Sequence, residues 1–157
     1  MRWRDLRDLA RPFTLFPPAL GIVSGGLCAF GSAHNPDPAR FFSWSVAFTM
    51  LLGAACASLL NAASNVLNQI ADLEADRINK PQRPLPSGRV SEAQAWRLAW
   101  LLYAVSVLPS WLLVPYPHTS LEAKLLAPLK EHGVFLLYLG AAVATWVYSL
   151  PALGRTK

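Results

Sequence analysis

The run from Phe41 to about Ile70 constrains this chain more than any other feature: 30 residues that contain neither a proline nor a charge. A bilayer's hydrocarbon core is about 30 Å thick and takes about 20 apolar helical residues to cross. Three further apolar stretches of similar reach lie at roughly 13–33, 93–114 and 133–150. With 54% hydrophobic and 15% charged residues the chain is too apolar for an ordinary soluble domain and too poor in charge for a disordered one. Thirteen prolines exclude a coiled coil. Cys28 and Cys56 each sit inside an apolar run without a neighbouring His, which reads as packing rather than a disulfide or zinc site. The expected fold class is all-α, a polytopic transmembrane helix bundle with four spans in a single membrane domain, residues 1–157.

The competing reading of the first stretch is a cleaved signal peptide. Asp5 and Asp8 in the leading segment, and an apolar run longer than the usual 7–15 residues, favour a span instead. Pro17 and Pro18 fall in its first turns, where missing amide donors are best tolerated. In the linker before the fourth span, Leu121, Leu125, Leu126 and Leu129 form one face of a short helix, with Glu122, Lys124, Lys130 and Glu131 expected in water. Alternate sides of the four spans carry eleven Lys and Arg against three, Arg40, Lys124 and Lys130. The positive-inside rule then puts the N-terminus, the 77–91 loop and the C-terminus, with Arg155 and Lys157, in the cytoplasm of a bacterial-type cell membrane. That bias accounts for the net charge of +5. No basic-aromatic interleaving argues for nucleic acid.

The polar residues inside the second run carry the chemistry. Ser58, Asn61, Ser64, Asn65 and Asn68 lie within what should be membrane, where polar groups are costly and mark function. The run ends in Asn68, Asp72 and Asp76, four apart, a stripe about 12 Å long on one helix face that Asn65 and Asn61 extend inward. Carboxylates so spaced repel unless a cation lies over them, and Mg²⁺ takes one or two carboxylates with waters and phosphate oxygens. The loop Asn79-Lys-Pro-Gln-Arg-Pro-Leu-Pro-Ser-Gly-Arg89 follows, stiffened by three prolines. It sets Lys80 and Arg83 beside the carboxylates, and cations beside a metal site suit a diphosphate. Arg89 is read as a topological charge, and Ser91 with Gln94 as a capping box.

The segment from Asn68 to Ser91 resembles the first signature of the UbiA-type intramembrane prenyltransferases: Asn-x-x-x-Asp-x-x-x-Asp, then Ile78-Asn79-Lys80-Pro81-x-Arg83-Pro84-x-Pro86-Ser87-Gly88. Arg11-Pro12-Phe13-Thr14 and Tyr148-Ser149-Leu150-Pro151 are similar to the family's first-helix opening and fourth-helix end. The resemblance implies a nine-span bundle that moves an isoprenoid from a prenyl diphosphate to a small, often aromatic, acceptor, with Mg²⁺ bridging the diphosphate. By that likeness Asp72 and Asp76 are catalytic, and Asn68, Asp72 and Asp76 are the metal ligands. Asn68, Lys80, Arg83 and Tyr148 bind substrate, although Ala152 stands where relatives often carry a base after the Tyr.

The chain stops at Lys157 without a second Asp-rich motif, as the N-terminal half of the family fold would, and the expectation is that it lacks turnover alone. Two other readings stand beside the enzyme: a non-catalytic truncated homologue, and a carrier subunit whose Asn-Asp stripe lines a polar path. The residues do not identify the acceptor or the length of the prenyl chain.

Overall fold

A computed structural model describes residues 2–35, 41–114 and 120–149. Arg40, Leu150, Pro151, Ala152, Arg155 and Lys157, on which expectations above rest, lie outside the described residues. Seven helices run in order: α1 (Trp3–Ala10), α2 (Phe16–Gly31), α3 (Trp44–Ala71), α4 (Leu73–Asn79), α5 (Glu92–Val107), α6 (Leu121–Leu126) and α7 (Gly133–Ser149), with no strand among the described residues. The all-α class matches the sequence expectation, with a helix in each of the four expected apolar stretches, although α5 ends at Val107. The stretch Pro12–Gly31 (20 residues) and α3 (28 residues) are long and apolar enough to cross a membrane, and α7 is a shorter apolar helix.

The long helix α3 is the axis on which α1, α2, α5 and α7 all pack. At 1.5 Å per residue it is about 42 Å long, more than a hydrocarbon core requires. Its contact with α5 is made by small residues, with Ala63, Ala95 and Ala99 fully buried, so the two backbones approach closely. Helix α7 is fastened by Trp146, which stacks against Trp96 (5.6 Å between centroids) and Trp100 (4.9 Å) of α5. Two hydrogen bonds fix its roll: Tyr103 to the Thr145 hydroxyl at 2.5 Å, and the Tyr138 hydroxyl donating to the Gly53 carbonyl at 2.8 Å.

The N-terminal segment breaks between α1 and α2. Arg11 adopts a left-handed conformation (φ 53°) and a one-turn 3-10 helix, Pro12–Leu15, follows. Helical bonding through this region is impossible, because Pro12, Pro17 and Pro18 have no N–H for the carbonyls of Asp8, Phe13 and Thr14. One face of α3 supplies donors to the carbonyls of this break. Ser58 donates to the Leu15 carbonyl (3.0 Å), Asn61 to that of Thr14 (2.7 Å), Asn65 to that of Ala10 (3.0 Å) and Gln69 to that of Leu9 (2.9 Å). In an apolar surround an unpaired carbonyl is costly, so these four side chains stabilise the break and set the position of Arg11.

Two other expectations are revised. Lys124 on α6 is buried rather than in water, while Leu121, Leu125, Leu126 and Leu129 are exposed, as the outward face of a short helix at an interface would be. Cys56 packs in the core as expected, whereas Cys28 lies exposed on α2.

Candidate functional site

The inner end of α3 bends at Asp72 (φ −91°, ψ 8°), which caps α3 and opens α4. The sequence reading of one unbroken helix is thus corrected, yet the four-residue register survives. Asp72 N–H donates to the Asn68 carbonyl at 2.9 Å, and Asp76 N–H to the Asp72 carbonyl at 2.8 Å. Asn68, Asp72 and Asp76 therefore follow one another at one-turn intervals across the bend.

Asp76 is the most enclosed of the three, at 4% exposure. Arg83 donates to one carboxylate oxygen through a close hydrogen bond, and the Lys80 ammonium is 4.0 Å from the other. The loop holds both cations there for identifiable reasons. Leu85 and Val90 insert under it against Leu9, Val66 and Ala95, and Gly88 takes a positive φ of 73° that a side chain would strain. Arg89, read from sequence only as a topological charge, is fixed by donation to Asp5 (3.0 Å) and to the Gln82 carbonyl (3.0 Å). The Ser91–Gln94 capping box forms in both directions.

Asn68 receives a hydrogen bond on Oδ1 from the Ser149 hydroxyl at 2.7 Å, which ties α7 to the stripe. Tyr148 adjoins that contact and is 57% exposed. The structure thus brings Asn68, Asp72, Asp76, Lys80 and Arg83 to one end of the bundle, with Tyr148 at its edge. Asn65 does not extend the stripe, because its amide and that of Asn61 are engaged by the N-terminal break. Ser64, one turn outward from Asn68, continues it.

Sequence reasoning missed Arg11, Ser149 and Gln69. Arg11 is half-buried, and burial, then the neighbouring Arg83 cation, pushes its guanidinium pKa down while Asp76 acts in the opposite sense. Arg7, Arg11, Arg83 and Arg89, with Asp8 the one acidic residue, line an open cavity of about 740 Å³. Arg83 and Arg89 are paired with Asp76 and Asp5, and Asp8 lies near Arg7 and Arg89, so the four guanidiniums outnumber their carboxylates by one and leave the pocket with an excess of positive charge. The signal available for Arg11 was the Arg-Pro step that opens the first apolar run, and for Ser149 its place beside Tyr148.

Hard oxygen donors fit a small divalent cation that arrives with phosphate: Asp72 as carboxylate, Asn68 Oδ1, and the Asp76 oxygen facing Lys80. Among the described residues no three acidic, His or Cys side chains cluster in a way that could hold a metal ion by themselves.

Comparison with known proteins places this arrangement. A 2-acylphloroglucinol 4-prenyltransferase of Humulus lupulus is 41% identical over 58% of this chain and 21% of its own length. A digeranylgeranylglyceryl phosphate synthase of Metallosphaera sedula is 41% identical over 63% of this chain and 34% of its own. The chloroplastic chlorophyll synthase of Arabidopsis thaliana is 28% identical over 97% of this chain and 35% of its own. The chain spans between about a fifth and about a third of the length of these relatives, and no solved structure matches it. The model of the UbiA prenyltransferase family matches residues 19–156, and with the stripe, the loop and the bundle in agreement the chain belongs to that family.

Proposed function

We propose that this chain supplies the diphosphate-holding part of a membrane prenyltransferase, which moves an isoprenoid group from a prenyl diphosphate to a small acceptor. The observation that carries this reading is the enclosed Asp76 carboxylate held between Arg83 and Lys80 in register with Asp72 and Asn68. Asn68, Asp72 and Asp76 would hold Mg²⁺ and diphosphate. When bound, the ion supplies charge neutralisation for a leaving diphosphate. Lys80 and Arg83, with Arg11 nearby, stabilise the negative charge that grows on the leaving group as the allylic C–O bond breaks. Tyr148 stands at the rim as a substrate contact. The apolar bundle excludes water from the carbocation that remains. The relatives' names support prenyl transfer and differ in the acceptor, which therefore stays general.

The span limits, the lipid-bilayer setting and the cytoplasmic placement of the N-terminus and the 77–91 loop belong to the same proposal. The carrier alternative loses support, because the amides of Asn61, Asn65 and Gln69 are bound to main-chain carbonyls and leave no continuous polar path along α3. Titration of the purified chain with inorganic pyrophosphate, with and without Mg²⁺, tests the reading. Saturable Mg²⁺-dependent binding supports it. Ion flux in liposomes without such binding would replace it with the carrier, and neither behaviour would leave a non-catalytic homologue.

A further inference from the structure

Two open apolar cavities, sharing lining residues, lie along α3 between α2 and α7. The inner one, about 530 Å³, is lined by Pro18, Leu60, Ser64, Ala141 and Thr145, among others. The outer one, about 650 Å³, is lined by Gly26, Thr49, Met50, Gly53 and Leu113, with Lys130 and Glu131 at its far end. Ile22, Val134 and Tyr138 border both. The Tyr138 ring is locked in place by its bond to the Gly53 carbonyl, and its residue is only 7% exposed. Ile22 closes from the opposite side, with its Cγ2 3.1 Å from where a Gly53 Cβ would stand. Gly53 is thus the point at which the two side chains can meet α3.

The lining of the inner cavity reaches to within one helical turn of Asn68. Thr145 is one turn from Ser149, which bonds Asn68, and Ser64 is one turn from Asn68 itself. A chain leaving a diphosphate held at Asn68 and Asp72 enters this cavity first. From Ser64 to Gly53 is 11 residues of helix, about 16 Å. Three extended backbone bonds cover about 3.3–3.6 Å, so a four-bond isoprene unit covers about 4.5 Å, and three to four units fill the path.

We propose that Tyr138, with Ile22 opposite, is the wall that sets isoprenoid chain length: the donor's tail occupies the inner cavity and ends against the Tyr138 ring. The inference rests on the diphosphate reading above. Both environments of the tail are apolar, so discrimination arises from steric exclusion of longer chains rather than from hydrophobic gain.

Competition binding on the purified full chain in Mg²⁺ separates the two claims, with inorganic pyrophosphate, a four-unit prenyl diphosphate and an eight-unit one as probes. The native chain is expected to prefer the four-unit ligand by about tenfold or more, the size of a steric mismatch in an apolar pocket. Tyr138→Ala, and separately Ile22→Ala on another helix, bring that ratio toward one without changing pyrophosphate affinity. A general packing defect would weaken both ligands alike. A native ratio near one, or a ratio unmoved in both variants while pyrophosphate still binds, overturns the chain-length role and leaves the diphosphate site standing. Absence of Mg²⁺-dependent pyrophosphate binding in the native chain removes both.

Discussion

Two ion pairs of similar build give a controlled test of which charge serves the site. Asp76 pairs with Arg83, with side-chain exposures of 6% and 21%, and Asp5 pairs with Arg89, with exposures of 5% and 44%. Breaking a buried pair costs about 3–5 kcal/mol and an exposed one about 0–1 kcal/mol. Partial exposure of the guanidiniums therefore places Asp76→Asn at about 2–3 kcal/mol and Asp5→Asn at about 1–2 kcal/mol. Both variants should unfold earlier in detergent, followed by tryptophan fluorescence. Calorimetric titration with pyrophosphate in Mg²⁺ should tell them apart: Asp76→Asn loses about 10–100-fold in affinity, the range for removing a group that serves a metal site, while Asp5→Asn stays within about threefold. Equal losses in the two variants, or native affinity in Asp76→Asn, would refute the assignment of Asp76.

Gln69→Leu strands the Leu9 carbonyl in a buried setting and should cost about 1–2 kcal/mol of stability, measured by denaturant unfolding in detergent. Gly88→Ala meets no atom within 4 Å, so its expected loss of about 1 kcal/mol is conformational alone, and an unchanged midpoint would show that the positive φ is not maintained. Arg11→Gly relieves about 1 kcal/mol of left-handed strain and should leave the unfolding midpoint level or higher, yet weaken pyrophosphate about tenfold through the lost cation. With its pKa lowered on folding, Arg11 binds its proton less tightly in the folded state, a cost to stability that is present at neutral pH and is relieved only as pH rises into the guanidinium range. Stability measured between about pH 6 and 9 should accordingly have the same slope in native and Arg11→Gly chains.

The bundle was legible because its signals are long. Apolar runs announced a helix in each of four stretches, two of them long and apolar enough to cross a membrane, and the start of α5 was fixed by its Ser91–Gln94 box. The inner half of α3 was only partly legible. Periodicity places Asn61, Asn65, Asn68 and Asp72 near one another on a cylinder, but it does not say what faces the cylinder. The break in the N-terminal segment decides that: the left-handed turn at Arg11 frees the carbonyls of Leu9 and Ala10, Pro18 frees that of Thr14, and these draw the amides at 69, 65 and 61 to one side. Nothing local to α3 encodes that demand. It arises some 50 residues earlier in the chain.

The same long-range debt explains why Arg11 escaped notice while Lys80 and Arg83 did not. The loop cations share a short stretch with the carboxylates they serve, so their spacing alone implies the pairing. Arg11 reaches Asp76 and Arg83 only after the chain has turned at a left-handed residue, and α3 has fastened that turn through four hydrogen bonds. A non-glycine residue held in that conformation is strained by about 1–3 kcal/mol, and such strain persists where the surrounding structure fixes it and clusters at functional sites. Here the surrounding structure is polar side chains in an apolar span, a second costly feature. Two unfavourable features that sustain one another, and together deliver a guanidinium to the arginine-lined pocket, are more economically explained by selection for that pocket than by packing, which a straight helix of alanine and leucine would satisfy without either.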